Sequence, residues 1–281
     1  MRKQISKMLL SIGGLCSVLS PVFASTVLPK AARVPGGVAV IDLGIVSPEP
    51  PEVRYLGNRT CVLANPKQPN TWLTVVGIPL EATLGINQIE ITSRNNTITK
   101  TFDVKPKSYP IERLTISDKR KVEPSAEDLA VIEKEYLETI AAYARWEYKD
   151  LKSLRLATPV KGRKSSPFGL QRIMNNIPKN AHSGLDIAAL KGTNVSCAKD
   201  GTVINIGNYF YSGNIVFVDH GQGFITSYCH LDTIAVQKGQ ELKQGDVVGT
   251  VGKTGRATGP HLHWSVSLNG VRVDPQLFIS E

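Results

Sequence analysis

The sequence has 281 residues, of which 41% are hydrophobic and 20% are charged. This length and balance suit a globular protein of two modest domains, and they exclude a chain that is disordered over most of its length. The formal net charge is +9, but no basic patch interleaved with aromatic side chains is present, so we expect no nucleic-acid partner.

The first 24 residues have the pattern of a secretory signal peptide. They begin with basic side chains, continue with an apolar stretch from Met8, and end with small residues before a cleavage site predicted after Ala24. The apolar stretch is short and is interrupted by Gly13 and Pro21, which favours a cleaved signal over an uncleaved membrane anchor. We therefore expect residues 1–24 to direct secretion across the inner membrane, to the periplasm or cell envelope, with no stable membrane span remaining after cleavage.

Cleavage removes three basic side chains and no acidic one, so the mature protein has a formal charge of +6. In an exported protein this charge favours an anionic envelope surface or polymer as the partner. Three cysteines remain in the mature chain, namely Cys61, Cys197 and Cys229. The odd count allows one disulfide bond in an oxidising compartment, and Cys197–Cys229 is the pair within one domain, although the sequence does not establish it.

Residues 34–110 are predicted to form a small antiparallel β-sandwich. Short β-rich runs such as TWLTVVGIPL and NQIEITS alternate with turn-forming segments such as SPEPPE and NPKQPN. Several short strands at this spacing are typical of a sandwich.

Residues 124–150 are predicted to form a linker helix. Ser125 is a suitable N-cap, and Glu127 and Asp128 place negative charge in the first turn. The apolar positions that fall near helical spacing are Leu129, Ile132, Tyr136, Ile140 and Tyr143.

Residues 156–281 return to strand patterns, with many glycines and no long helical segment. We interpret the glycines as turns and close backbone approaches. The predicted fold class is therefore mainly β, with a small N-terminal β-sandwich, a linker helix and a C-terminal antiparallel β domain.

All histidines of the chain lie in this C-terminal part. They are His182, His220, His230, His261 and His263. In the segment AHSGLDIA, His182 and Asp186 share a face whether the chain is helical or extended, and Gly184 between them leaves room above the backbone. Such a pair alone is common as a surface hydrogen bond.

The segment TGPHLHW contains His261 and His263, two residues apart. On a strand these side chains project from one face, about 7 Å apart along the chain. This pattern alone is also ambiguous. Together with the His182 segment and with His230 in SYCHL, it indicates a site.

A catalytic zinc ion needs three protein ligands and an open position for water. His182, Asp186 and one member of the pair His261 and His263 supply ligands of the required kind. Zinc held in this way acidifies a water molecule and polarises a carbonyl, as amide hydrolysis requires. His230 and the other member of the pair are then candidates for moving a proton and stabilising the oxyanion, and the spacing does not decide how the pair divides these roles.

Three separated segments carry a resemblance to a known family. In order, they are SSPFGLQRIMNNIPKNAHSGLDIAAL, GNIVFVDHGQGFITSYCHL and GQELKQGDVVGTVGKTGRATGPHLHWSV. Across nearly the whole C-terminal domain the chain resembles the lysostaphin-like (LytM, family M23) zinc metallopeptidases, and the β-rich region before it resembles the N-terminal domain of some envelope members. The resemblance implies that His182, Asp186 and His263 bind zinc and that His230 and His261 are catalytic.

The chain departs from the family pattern at a few positions. Many members have Phe-Gly-x-Arg where this chain has Phe168-Gly-Leu-Gln and then Arg172, one place later, which weakens the case for a substrate-positioning role of that arginine. Alternation on a strand turns Cys229 away from the face of its neighbour His230, so we expect Cys229 to be packed in the interior or to form a disulfide rather than bind metal. We interpret His220 as structural.

The resemblance implies a secreted zinc metalloendopeptidase that hydrolyses the peptide cross-links of bacterial peptidoglycan. Two alternatives stay open. Some relatives have lost metal ligands and act as non-catalytic LytM-type activators or binding modules for other cell-wall hydrolases, but this chain keeps every motif residue. A zinc peptidase acting on proteins would keep the same site and differ in its groove. A regulatory envelope protein is a further candidate partner, and the sandwich and helix could position the enzyme or shield its groove.

Overall fold

The computed structural model describes residues 26–93 and 96–279, so the predicted signal peptide, residues 1–24, lies outside the described residues. The chain is mainly β, as predicted, with an N-terminal β region, one α-helix and a C-terminal domain built on an antiparallel sheet. Within the described part of the chain, no helix combines the length and the hydropathy that a membrane span requires.

The N-terminal region is a two-sheet β-sandwich. Its strands are β1 (Val38–Val46), β2 (Glu52–Tyr55), β3 (Asn58–Arg59), β4 (Cys61–Ala64), β5 (Thr71–Gly77), β6 (Gly85–Ser93) and β7 (Asn96–Val104). One sheet has the order β1-β5-β4 and the other the order β3-β2-β6-β7. In β6, buried Ile89 and Ile91 alternate with exposed Gln88 and Glu90, so one face of the strand enters the core between the sheets.

The sheet β1-β5-β4 contributes to two cores. One face packs against the other sheet of the sandwich, and the other face carries Cys61, Leu63 and Val75 into the main hydrophobic core of the C-terminal domain. The Asn269 side chain reinforces this contact by accepting a hydrogen bond from Gly77 N at 2.7 Å. The sandwich and the C-terminal domain therefore share a continuous apolar core.

Two elements connect the sandwich to the C-terminal domain, namely strand β8 (Ile111–Leu114) and helix α1 (Ala126–Ala144). Ser125 is the N-cap of α1, as predicted, and forms a capping box with Asp128. Asp128 also forms an ion pair with Arg120 in the segment before the helix. These contacts fix the start of the helix.

Helix α1 ends before the predicted boundary at residue 150 and keeps part of its apolar surface exposed. Arg145 leaves the helical region of backbone angles, and residues 145–150 continue without regular structure. Tyr143 is buried, but Leu129 and Tyr136 are more than half exposed. The helix therefore buries its C-terminal turn, whereas apolar side chains nearer its start stay exposed.

The C-terminal domain is built on a ten-stranded sheet. The remaining strands of the chain are β9 (Arg163–Ser166), β10 (Gln171–Met174), β11 (Ile177–Lys179), β12 (Leu185–Ala188), β13 (Asn194–Ser196), β14 (Gly201–Tyr209), β15 (Gly213–Asp219), β16 (Ile225–Ile234), β17 (Glu241–Leu242), β18 (Val247–Val251), β19 (His261–Leu268) and β20 (Val271–Val273). Seven of its strands follow the order β17-β14-β15-β16-β19-β12-β9. The other three extend it at the sides, because β18 pairs with β16 and β13, and β20 pairs with β19. A separate small sheet has the order β11-β10-β8. Short 3-10 helices lie at Lys119–Lys121 and Pro275–Leu277.

The two faces of the large sheet have different neighbours. In β19, Leu262, Trp264 and Val266 belong to the main core, whereas the alternating positions His261 and His263 lie on the opposite face. Helix α1 packs on that opposite face, in a second apolar cluster with residues of β15 and β16. The alternation of one strand therefore places the paired histidines on the side of the sheet that the helix covers.

The three cysteines among the described residues, namely Cys61, Cys197 and Cys229, are buried free thiols. Cys197 packs in the main core, whereas Cys229 packs in the cluster beneath helix α1. The disulfide that the cysteine count allowed is therefore not formed in this structure, because the two side chains lie in separate clusters.

Candidate functional site

Antiparallel pairing of β12 with β19 brings predicted site residues together. Asp186 lies directly opposite His263, and His261 lies opposite Ala188. Because His261 and His263 both belong to strand β19, their side chains project from one face, as their spacing predicts.

His182 reaches the same point from the segment before β12. Its Nδ1 donates a hydrogen bond to the Pro167 carbonyl at 2.7 Å, and its Nε2 lies 2.9 Å from Asp186 Oδ1 and 2.9 Å from His263 Nδ1. His263 Nδ1 is 2.8 Å from the same carboxylate oxygen. Two ring nitrogens and one carboxylate oxygen therefore converge, and these donor atoms all lie within 4.8 Å of one another.

These three groups have the chemistry of a metal-binding set. Burial lowers the pKa of His263 to about 4, so its imidazole is neutral near neutral pH and retains an unshared electron pair. Burial acts to raise the pKa of Asp186, but the close contacts of its Oδ1 with His182 and His263 outweigh this effect and hold that pKa well below its ordinary value. Buried electron pairs that converge in this way are stabilised by a cation between them. The residues present therefore fit a zinc ion, which prefers imidazole and carboxylate ligands.

Two further residues hold the set in place, and the sequence interpretation missed both roles. The Arg172 guanidinium donates from Nη2 to Asp186 Oδ2 and to Ser166 Oγ, each at 2.9 Å, which leaves Oδ1 for the histidines. Ser265 Oγ lies 3.1 Å from His263 Nε2, on the side of the ring away from Nδ1. A signal for Ser265 was available, because a residue two positions after His263 on a strand shares its face. No comparable local signal identified the partner of Arg172.

His230 occupies a β-bulge in β16. Cys229 and His230 lie opposite the single residue Ile215 of β15, and His230 has a φ of 61°, which bulky residues rarely adopt. Its Nδ1 donates to the Thr254 carbonyl at 2.8 Å. Burial lowers the pKa of His230 to about 3, so the ring is neutral near neutral pH and its Nε2 is unprotonated.

His261 lies between this bulge and the metal-binding set. Its Nδ1 donates to the Gly259 carbonyl at 2.8 Å, and its Nε2 is 3.8 Å from Asp186 Oδ1. The ring centroids of His230 and His261 are 4.8 Å apart. Both rings are therefore oriented by backbone carbonyls beside the three converging donor atoms.

Cys229 and His220 are not part of the metal-binding set. The bulge interrupts strand alternation, so Cys229 lines the same cavity as His230 rather than turning away from it, contrary to the prediction. Burial raises the pKa of the Cys229 thiol to about 12, which keeps it protonated and makes it a poor metal ligand. His220 is buried with Nδ1 donating to the Asp200 carbonyl and Nε2 2.9 Å from Thr226 Oγ1, an arrangement consistent with its interpretation as structural.

The metal-binding set opens into a cavity of about 620 Å³ between the sheet and helix α1. The sheet side of the cavity includes His182, His230 and His263. The residues that α1 contributes are Leu129, Ile132, Glu133, Glu135, Tyr136, Thr139 and Tyr143. The segment predicted only as a linker is therefore one wall of the candidate site.

Gly184 lies where a side chain would displace this set. A Cβ atom at this position would fall 2.7 Å from Ser265 Oγ and 2.8 Å from His263 Cε1. We expect Gly184→Ala to lower zinc affinity by about 10- to 100-fold, the loss typical when the support of a metal ligand is disturbed. Titration of the zinc-loaded protein with a competing chelator measures this change.

Gly259→Ala is the matched control for that substitution. Nothing lies within 4 Å of a Cβ atom built at Gly259, so zinc affinity should stay close to that of the unmodified protein. Equal losses in the two variants, or no loss in Gly184→Ala, would contradict the steric explanation.

Two family models match the chain. The model for Peptidase family M23 matches residues 180–275, which include the converging donor atoms, and the model for the Peptidase family M23 N-terminal domain matches residues 31–107. A crystal structure assigned to peptidase M23 from Pseudomonas aeruginosa is 42% identical in sequence, with a TM-score of 0.75. The similarity covers 89% of this chain and 96% of that one.

Two curated proteins of Vibrio cholerae serotype O1 are similar to part of the chain. Peptidoglycan DD-endopeptidase ShyC is 37% identical over 121 residues, which cover 40% of this chain and 28% of the relative. Peptidoglycan DD-endopeptidase ShyA is 41% identical over 111 residues, which cover 39% of this chain and 26% of the relative. The matched region thus spans little more than a quarter of the length of these relatives.

Proposed function

Because the chain belongs to peptidase family M23, we propose that it is a zinc metalloendopeptidase that hydrolyses the peptide cross-links of bacterial peptidoglycan. The observation that carries the proposal is the convergence of His182, Asp186 and His263, beside two further histidines, at an open cavity. The two Vibrio cholerae relatives named as peptidoglycan DD-endopeptidases support the substrate class.

The proposed zinc ligands are His182 Nε2, Asp186 Oδ1 and His263 Nδ1. When bound, zinc lowers the pKa of a water molecule and polarises the scissile carbonyl. Arg172 keeps the second carboxylate oxygen of Asp186 engaged, and Ser265 Oγ lies at hydrogen-bond distance from His263 Nε2. These two contacts restrain the carboxylate and the ring in orientations suited to metal binding.

His230 and His261 are the proposed catalytic residues. Each ring donates from Nδ1 to a backbone carbonyl, so Nε2 is the nitrogen available for proton transfer. In the neutral state this nitrogen takes a proton from the attacking water, and once protonated it donates to the developing oxyanion or to the leaving amine. The 4.8 Å between the ring centroids allows both histidines to serve one reacting group.

The proposed place of action is outside the inner membrane, in the periplasm or cell envelope, with residues 1–24 directing export. The formal charge of +6 in the mature chain suits an anionic wall polymer. We also propose that helix α1 limits access to the groove, because it forms one wall of the cavity, and that an envelope protein that moves this helix regulates activity.

Mass spectrometry of purified peptidoglycan fragments tests the proposed reaction. We expect the zinc-loaded protein to convert cross-linked dimers into monomers, with one water added for each bond cut and the glycan strands left intact. The same protein with zinc removed by a chelator should leave the dimers unchanged. Dimers that persist with the zinc-loaded protein would contradict the proposal, and cleavage of an unfolded protein substrate instead would favour the alternative of a protein-directed zinc peptidase.

A further inference from the structure

We propose that Arg256 forms a subsite that binds a free carboxylate of the substrate peptide, an inference that rests on the proposed function. Arg256 lies in the connection between β18 and β19, is half-buried, and lines the cavity that contains the metal-binding set. Its backbone N donates to the Tyr211 carbonyl at 2.8 Å, which fixes this connection on the turn between β14 and β15.

The same connection orients His230. Thr254, two residues before Arg256, supplies the carbonyl that accepts the hydrogen bond from His230 Nδ1. A Cβ atom at Gly255 would fall 2.4 Å from Gly213 N, and Asn214 N donates to Thr254 Oγ1 at 3.0 Å, so the two turns are in close contact. Arg256 therefore has a position that is fixed relative to a proposed catalytic histidine.

The Arg256 guanidinium is held in place without a negatively charged partner. It lies 4.3 Å from the centroid of the Tyr211 ring, and its Nη1 donates to the Lys121 carbonyl at 3.3 Å. Within residues 26–93 and 96–279, the ionisable groups whose charges shift the pKa of Arg256 are Tyr211 and Arg172, and neither is a carboxylate. Most of its five donors are therefore left for a ligand.

Two other arginines near the sheet are paired with carboxylates. Arg172 contacts Asp186, and Arg145 contacts Asp219, each through a carboxylate oxygen at 2.9 to 3.0 Å. By contrast, burial lowers the pKa of Arg256, and the nearby Arg172 lowers it further. A half-buried cation without a paired anion is unfavourable by itself, and an incoming anion compensates for it.

A carboxylate fits this position better than other anionic or neutral groups of a peptide. The guanidinium offers parallel donors that match the two oxygens of a carboxylate. The helical wall of the cavity carries Glu133 and Glu135, which disfavour a carboxylate on that side. The unequal charge of the two walls therefore gives a peptide with a free carboxylate one preferred direction in the groove.

Paired substrates test the subsite. One pool contains cross-linked muropeptide dimers with free carboxylates, and the other contains the same dimers after carbodiimide coupling to ammonia, which converts carboxylates to carboxamides. We expect the zinc-loaded protein to cleave the free acids with a kcat/KM about 10- to 100-fold above that of the amides, as charge-assisted hydrogen bonds imply. Arg256→Gln should bring this ratio close to one while zinc content stays unchanged.

Lys253→Gln is the matched control, because Lys253 is exposed in the same connection and its loss removes the same charge. It should keep the preference for the free acid. Binding of monomeric muropeptide to the chelated protein gives a readout independent of turnover. There the acid should bind more tightly than its amide to the unmodified protein but not to Arg256→Gln.

Three results would overturn the carboxylate subsite: equal cleavage of both pools by the unmodified protein, an unchanged preference in Arg256→Gln, or an equal loss of preference in Lys253→Gln. If the zinc-loaded protein cleaves neither pool, the proposed function itself fails. The two proposals are therefore distinguishable in one set of measurements.

Discussion

Replacing His263 with alanine is expected to abolish stoichiometric zinc binding and to reduce hydrolysis of peptidoglycan cross-links to the level of the chelated protein. His263 Nδ1 lies within 2.9 Å of both other proposed ligand atoms, so its loss leaves only two protein ligands where a catalytic zinc site needs three. The loss of affinity should exceed the roughly 10- to 100-fold that follows from disturbing only a supporting contact. Elemental analysis of the purified variant measures the zinc content.

His220→Ala is a suitable control for removing a buried histidine. His220 is also buried and hydrogen-bonded, but its partners are the Asp200 carbonyl and Thr226, outside the cavity. We expect this variant to be less stable yet to bind one zinc ion per chain. If His263→Ala keeps both bound zinc and wall hydrolysis, the ligand assignment is wrong.

Replacing His230 with alanine is expected to separate metal binding from turnover. His230 contributes no atom to the group of three converging donors, so zinc content should stay at one ion per chain. Loss of a residue that transfers a proton should lower kcat by about 10²- to 10⁴-fold. Zinc analysis together with initial rates on purified muropeptide dimers tests both parts of this prediction.

Cys229→Ala controls for disturbance of the bulge. Cys229 precedes His230 at the same irregularity and is buried, so its truncation changes local packing without removing an imidazole. We expect most of the activity to remain. Loss of zinc from His230→Ala would show that the ring supports the metal site, whereas full activity without it would remove His230 from the mechanism.

Much of the candidate site was predictable because its information is local. His182 and Asp186 are four residues apart, and His261 and His263 are two apart, so a simple assumption about backbone geometry places each pair on one face. The long-range step, which joins the two pairs, came from the resemblance to a family. In the structure, the pairing of β12 with β19 brings the two pairs together, because it places Asp186 opposite His263.

The features that the sequence did not predict depend on contacts between distant segments. The ion pair between Arg172 and Asp186 needs β10 to lie beside the metal-binding set, and no spacing in the sequence encodes that approach. The bulge at His230 reverses the expected relation of that residue to Cys229, because alternation holds only along a regular strand. The apolar spacing of α1 predicted a helix correctly, but it carried no information about the cavity that the helix borders.

The apolar core that continues from the sandwich into the C-terminal domain limits how this protein can be dissected or rearranged. Domains joined by small polar contacts move independently, whereas a hydrophobic contact such as that of Leu63 and Val75 opposes separation. Cutting the chain before Leu156 would also remove β8, the parallel partner of the strand that carries Arg172. We therefore expect the peptidase domain to lose stability when it is produced without the residues that precede it. Substitution of single α1 side chains that line the cavity, in the intact protein, is therefore the better test of whether the helix limits activity.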